Sequence, residues 1–278
     1  MKSNITLAQL TAYAFVAIGA LVMLAPFYFM FIFATHDNMA ILSVPPPMWF
    51  GNELMNNLAA LIEYLPHFWK NLGWSFYIAA ITTLLNLLFC SLAGYAFAMF
   101  DFKYKKGLFL FIMGTMMLPA FLSMIPTALI MSFLGWMNTP KAIYIPMAVA
   151  AMGIFLMRQY IGSAIPKELI EAARMDGCGE FSIYWRIVLP LISPALGTLG
   201  LVTFIGQWNN FMGPLVVMND MEMFTVPLAL RALQGSTGLI PYGAIFAGVS
   251  IAVIPLMVMF VISSRRLIAG LTAGAVKG

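Results

Sequence analysis

Charge is what this sequence has least of. Only 9% of its 278 residues are Asp, Glu, Lys or Arg, while 62% are hydrophobic. A soluble domain carries about 25% charged residues. A chain this poor in charge cannot cover its surface with polar groups, which excludes an ordinary water-soluble fold. Cysteine is scarce as well. Cys90 lies in an apolar run and Cys178 in a polar loop, so no disulfide framework is implied. The only histidines, His36 and His67, lie far from any second ligand, and no metal site is expected. No Gly-Lys dipeptide occurs, which excludes the usual phosphate-binding loop and ATP hydrolysis by that route. No Ser/His/Asp or Cys/His set can be assembled into a catalytic constellation. No basic run with interleaved aromatics points to nucleic acid.

What is present is six apolar runs, at 10–34, 72–99, 108–134, 142–160, 195–218 and 241–263. Each is long enough to cross about 30 Å of hydrocarbon as a helix. A helix is required because lipid offers no partner to a free backbone polar group. The first run is too long for a signal-peptide core and has no small-residue cleavage site after it, so it reads as a retained span. Pro119 and Pro126 fall inside the third run and predict a kink or break. No Asp, Glu, Lys or His sits mid-run, where an ion-coupled carrier usually places its coupling group. That weighs against a stand-alone secondary carrier. The expected fold is all-α and integral to the membrane, a single domain over 1–278.

Six spans place both termini on one side. That side holds eleven cations: Lys2, Lys103, Lys105, Lys106, Arg158, Lys167, Arg174, Arg186, Arg265, Arg266 and Lys277. The other side holds Lys70, Lys141 and Arg231, and the acids divide evenly. The excess of Lys and Arg makes the side with the termini cytoplasmic. The net charge of +4 therefore reports topology. The longest external segment, 35–70, contains Pro45-Pro46-Pro47, a stiff extended stretch. Its Trp49, Phe50, Tyr64, Phe68 and Trp69 read as interfacial aromatics or as a contact for an external partner.

One polar island interrupts the apolar chain, a loop at 162–193. Pro166 suits the start of a helix and Glu168 favours its dipole. Glu171, Ala172 and Ala173 are good helix formers, and Gly177 can end the helix in a left-handed conformation. Phe181 to Leu189 reads as a second short amphipathic helix closed by Pro190. The result is a helix–turn–helix hairpin whose paired alanines offer a face without bulk.

Glu171-Ala172-Ala173, three residues, Gly177, nine residues, Ile187, one residue, Leu189-Pro190 resembles the EAA loop of permease subunits in bacterial binding-protein-dependent ABC importers. The resemblance implies the six-helix permease fold of type I importers, with this hairpin as the coupling helix between spans four and five. It assigns ATPase coupling to Glu171, Ala172, Ala173, Asp176, Gly177, Ile187, Leu189 and Pro190. Within the cytoplasmic tail, 265–278, the stretch Gly270 to Gly278 resembles the C-terminus of the smaller permease subunit of maltose-type importers. That implies contact of Thr272, Gly274, Lys277 and Gly278 with the ATPases. Tyr95-Ala-Phe-Ala98, Asn138-Thr139 and Trp208 to Pro214 add to the likeness. It covers about 71–278 and is weak over 1–70. The implied partners are a second permease in a heterodimer, two ATPase subunits that bind ATP and Mg, and an extracytoplasmic solute-binding protein. The implied place is the bacterial inner membrane, with no cofactor in this chain.

Substrate residues are less legible. Asn86, Gln207, Asn209 and Asn210 are polar amides inside apolar runs. They either line a sugar passage, with Trp208 offering a ring face, or bond helix to helix. Gln234, Gly235 and Ser236 lie where the family directs a loop at the binding protein; the same composition fits a plain connector. A permease for glycerol-3-phosphate or another polar solute would use the same fold. No basic residue is visible in the pathway, which favours a neutral sugar.

Overall fold

The computed structural model describes the backbone of residues 7–234 and 240–275, and the side chains of 9–234 and 240–261. Regular structure among the described residues is entirely helical. The α-helices are α1 (Leu7–Phe33), α2 (Asn38–Ile41), α3 (Leu54–Tyr64), α4 (Phe68–Met99), α5 (Lys105–Thr115), α6 (Met124–Phe133), α7 (Lys141–Tyr144) and α8 (Ala151–Ala164). They continue as α9 (Lys167–Met175), α10 (Glu180–Ile183), α11 (Leu189–Leu191), α12 (Ser193–Trp208), α13 (Met212–Val217), α14 (Val226–Ala232) and α15 (Tyr242–Ala275).

Among the described residues, α1, α4 and α15 are long and apolar enough to cross a membrane unbroken. The other three apolar runs are helical in pieces. The third breaks at Pro119, as its prolines predict, and resumes through a 3-10 turn at Ala120–Ser123. The fourth is not one helix from residue 142. α7 makes a single turn, the chain is irregular from 145 to 150, and α8 starts after Ala150 in an extended conformation (φ −123, ψ 131). Pro146 has no N–H to continue the ladder. The fifth run stops at Trp208 and restarts at Met212, with Asn209 and Asn210 at the corner. The sixth runs on past the Arg265-Arg266 pair as helix to Ala275, so the expected tail is helical over most of its length.

The chain divides into two compact units. One comprises residues 1–68 and 230–254. There Phe33 meets Phe246 edge to face at 5.2 Å, and the Asn38 amide donates to the Ile240 carbonyl at 2.8 Å. Gly248 lets α15 approach Leu230 and Leu61 closely.

The other unit comprises residues 69–229 and 255–278. Its largest core runs from Cys90 and Tyr95 on α4 through Met157 and Ile161 on α8 to Ile183, Tyr184 and Val188. Gly94 and Gly153 set the crossing of α4 and α8. A methyl on Gly94 would sit 2.5 Å from Met157 Cβ, and one on Gly153 would sit 2.7 Å from Cys90 Sγ. Small residues at such crossings let membrane helices gain van der Waals contact, since lipid gives them no hydrophobic push together. The N-terminal end of α4 is bonded as well. Asn71, buried, donates to the carbonyls of Met221 (2.8 Å) and Phe224 (2.9 Å), and Ser75 accepts from the Val226 N–H. Asn138 holds a left-handed conformation (φ 57) and accepts from the N–H groups of Asn219 and Asp220.

Candidate functional site: a hairpin seated on a long helix

The hairpin forms where the sequence places it. α9 buries Ile170 and Ala173 and leaves Glu171, Ala172, Met175 and Asp176 exposed. Its end is a complete Schellman closure. The Gly177 N–H donates to the Arg174 carbonyl and the Cys178 N–H to the Ala173 carbonyl, both at 3.0 Å. That geometry needs φ +80 at Gly177, a region that side chains disfavour. Only one of the paired alanines, Ala172, faces outward. Ala173 is turned into the core, where a larger side chain would hold α9 off its support.

The second limb differs from the expected short helix closed by Pro190. α10 passes into a π-helical turn at Tyr184–Val188, then α11, with Pro190 inside it. Proline has no N–H for the carbonyl four residues back, which favours a widened turn ahead of it. The segment Glu180–Leu191 then meets Ser193–Trp208 at a bend of 78°. Ile187 and Leu189 are half-buried against the core, while Pro190 is exposed.

Two polar attachments seat the hairpin on α4. The Tyr184 hydroxyl lies 2.7 Å from Ser91 Oγ, in a site that excludes solvent. Burial pushes the Tyr184 phenol above its ordinary pKa. Arg174 Nε donates to Glu180 Oε1 at 2.6 Å, and the Tyr95 hydroxyl donates to Glu180 Oε2 at 3.1 Å. The hydrogen bond from Arg174 holds the Glu180 carboxyl below the usual range and raises the guanidinium in turn. The Arg174 guanidinium also lies 5.3 Å from the Phe100 ring centre. A cleft of ≈ 350 Å³ opens beside these groups, lined by Asp101, Lys167, Glu171 and Arg174 among others.

Sequence reasoning missed both attachments. It also missed an apolar outer face: Met175, Phe181 and Trp185 are all exposed. The signal was legible, because two aromatics four residues apart in a polar loop belong to one helix face.

The pathway amides separate. Asn86 is buried; its amide donates to the Met147 carbonyl at 3.3 Å and its oxygen accepts from Thr203 at 3.4 Å, so it bonds helix to helix. Trp208 is also buried, stacked on Phe204 at 5.9 Å, and offers no face to a passage. Asn210 instead lines a cavity of ≈ 370 Å³ with Ser123, Thr127, Pro146, Met147 and Gly213. All three broken runs converge on it. The Asn210 amide donates to Gln207 at 3.2 Å and its oxygen accepts from the Gly213 N–H at 3.1 Å. Asn209 is exposed and donates back to the Ile205 carbonyl. Gln234 is exposed. Gly235, Ser236, Lys277 and Gly278 lie outside the described residues; Thr272 and Gly274 fall on the backbone of α15, with side chains outside them.

Unbroken and broken apolar helices, with a polar hairpin between the fourth and fifth runs, define a polytopic membrane protein with the fold of a type I importer permease. Residues 90–272 match the family described as binding-protein-dependent transport system inner membrane component, and the chain belongs to it. It is 33% identical over 261 residues to the trehalose/maltose transport system permease protein MalG of Thermococcus litoralis, covering 93% of each chain. It is 39% identical over 215 residues to the arabinooligosaccharides transport system permease protein AraQ of Halalkalibacterium halodurans, covering 76% of this chain and 75% of the relative. A solved bacterial ABC transporter for import of the acidic polysaccharide alginate shares the fold, with a TM-score of 0.80, 22% identity and coverage of 92% and 95%. The chain is therefore a transport subunit and not an enzyme. Permeases of this family work with a partner permease, an ATPase and a solute-binding protein.

Proposed function

We propose that this chain forms half of a translocation pathway for a neutral sugar or oligosaccharide and takes its drive from a separate ATPase through the 166–190 hairpin. The observation that carries the coupling is the seat of the hairpin. Its inner side is bonded to α4 through Ser91–Tyr184 and Tyr95–Glu180, while its outer side is left apolar at Met175, Phe181 and Trp185. An exposed aromatic face fits a protein partner. The names of the relatives, for maltose and for arabino-oligosaccharides, support the sugar. So does the cavity at Asn210, whose lining carries hydroxyls and an amide but no charge. Within this reading the partner permease is a different chain, and two ATPase subunits bind ATP and Mg. The spans lie in a bacterial inner membrane with both termini cytoplasmic, as the excess of Lys and Arg on that side favours.

Gly177→Val tests the coupling. A β-branched residue at φ +80 opposes the turn by about 1–2 kcal/mol or more, while nothing lies within 4 Å of the position to be displaced. The variant should insert and assemble normally but lose substrate-stimulated ATP hydrolysis in the reconstituted complex. Normal stimulation would sink the assignment. Removal of Thr272 to Gly278 should likewise impair coupling, and unchanged uptake would mark the tail as a surface terminus.

A further inference from the structure

The segment that precedes α3 has no place in the transport reading, and its surface is unusual. From Asn38 to Asn52 there is no Asp, Glu, Lys or Arg. Val44 is 96% exposed and Trp49 80%, and Leu42, Met48 and Phe50 are exposed beside them. Leaving a Val, Leu, Phe or Met side chain in water forgoes about 1.5–3 kcal/mol each. The exposure is not slackness. The Gly51 N–H donates to Thr35 Oγ1 at 2.8 Å and the Glu53 N–H to the Thr35 carbonyl at 3.0 Å. Asn57 donates to the carbonyls of Ala34 and His36, both at 2.9 Å. Gly51 lies so close to the Thr35 carbonyl that a methyl there would collide with it. The segment is therefore fastened to the end of α1 with its apolar side chains outward.

Its height follows from α1. That helix has 27 residues, about 40 Å at 1.5 Å per residue. Hydrocarbon takes about 30 Å of this, leaving several ångströms of headgroup layer at each end. The Tyr28 hydroxyl donates to the Met48 carbonyl at 2.8 Å, and the Tyr28 ring meets Phe50 edge to face at 6.4 Å. Tyr28 stands five residues before the last residue of α1, about 7–8 Å below its end. With about 5 Å of headgroup layer at that end, Met48 to Phe50 lie within about 2–3 Å of the hydrocarbon boundary, where tryptophan and other aromatics concentrate. The patch also continues the apolar flank of α1, of which only 6% is buried.

We propose that Val44 to Phe50 is a lipid-contacting wedge, seated in the headgroup layer of the leaflet at that end of α1. A lipid surface fits better than a protein partner. The patch carries no charge, is continuous with an apolar flank of α1 that the described residues leave uncovered, and sits at the edge of the hydrocarbon layer. The inference needs α1 to span, not the identity of the cargo.

The test uses the assembled complex in lipid nanodiscs, with Cys90→Ala and Cys178→Ser as background. Single cysteines from Val44→Cys and Trp49→Cys, and from Glu63→Cys as a control at an exposed polar site, carry an environment-sensitive fluorophore. Both test positions should emit to the blue, lose fluorescence when shallow nitroxide lipid is included, and resist aqueous iodide. The control should respond to iodide. Iodide quenching at 44 and 49 would overturn the proposal. So would protection without nitroxide quenching, since that marks a protein over the patch. A fluorophore-free check is intrinsic quenching by brominated lipid, which should drop in Trp49→Phe; an unchanged value would also overturn it.

Discussion

Gly94→Ala adds one methyl at the crossing of α4 and α8. The methyl would lie 2.5 Å from Met157 Cβ and 2.9 Å from the Arg158 backbone nitrogen. Carbon atoms rest about 3.5–4.0 Å apart, so the helices must separate by about 1 Å. Overpacking of this kind costs about 1–3 kcal/mol. The upper half applies here, because one obstructing atom is backbone and cannot swing aside. Alanine returns up to about 1 kcal/mol of helix propensity. The net, about 1–2 kcal/mol, raises the open population by roughly 5–30-fold. Cys90 supplies the assay. It is fully buried at this crossing, beside Gly153. In a Cys178→Ser background, maleimide labelling of Cys90 under native conditions should accelerate by that factor in Gly94→Ala. Gly107→Ala, where nothing lies within 4 Å, should leave it unchanged. An equal labelling rate in Gly94→Ala and the parent would refute the close-crossing argument.

Three other outcomes follow from the bonding. Glu180 has a folded-state pKa below its unfolded value because Arg174 bonds its charged form. Its contribution to docking is therefore fully present above the ordinary glutamate pKa of about 4.3 and is lost as pH falls through the lower folded value. A nitroxide on exposed Cys178 should gain mobility in that acid window, and Glu180→Gln should remove this part of the pH dependence. Asn71→Ala removes two bonds from a buried amide and strands two carbonyls, and should destabilise the complex by about 2–3 kcal/mol in thermal unfolding. Lys70→Gln breaks only the half-exposed pair with Glu222 and should cost under about 1 kcal/mol in the same assay.

The sequence declared its solvent, its helices and its hairpin because each depends on local chemistry. A run of apolar residues must be helical in lipid, Pro119 must interrupt it, and Gly177 can turn where others resist. The break at Asn209–Asn210 is not legible, and the one at 145–150 has only Pro146 to mark it. An apolar run does not say where its backbone will be taken up by neighbours, and irregular backbone at membrane depth is tolerated only when other segments or a cavity satisfy it. The same limit explains the pathway amides. Asn86 and Asn210 look alike in sequence, yet one bonds two helices and the other faces a cavity. The two alanines form one bulk-free pair in sequence, but α9 rotates about 100° between neighbours, which puts Ala172 out and Ala173 in.

Ser91 and Tyr95 are four residues apart on α4, so both hairpin attachments grip one stripe of a single rod. That rod has 32 residues, about 48 Å. At its far end Lys70, Asn71 and Ser75 hold the segment 221–226. A push on the hairpin therefore meets a helix fastened at both ends, with no slack joint at the near end to absorb it. On the proposed coupling, force received at the hairpin would be carried along α4, as along a push-rod, to the segment 221–226.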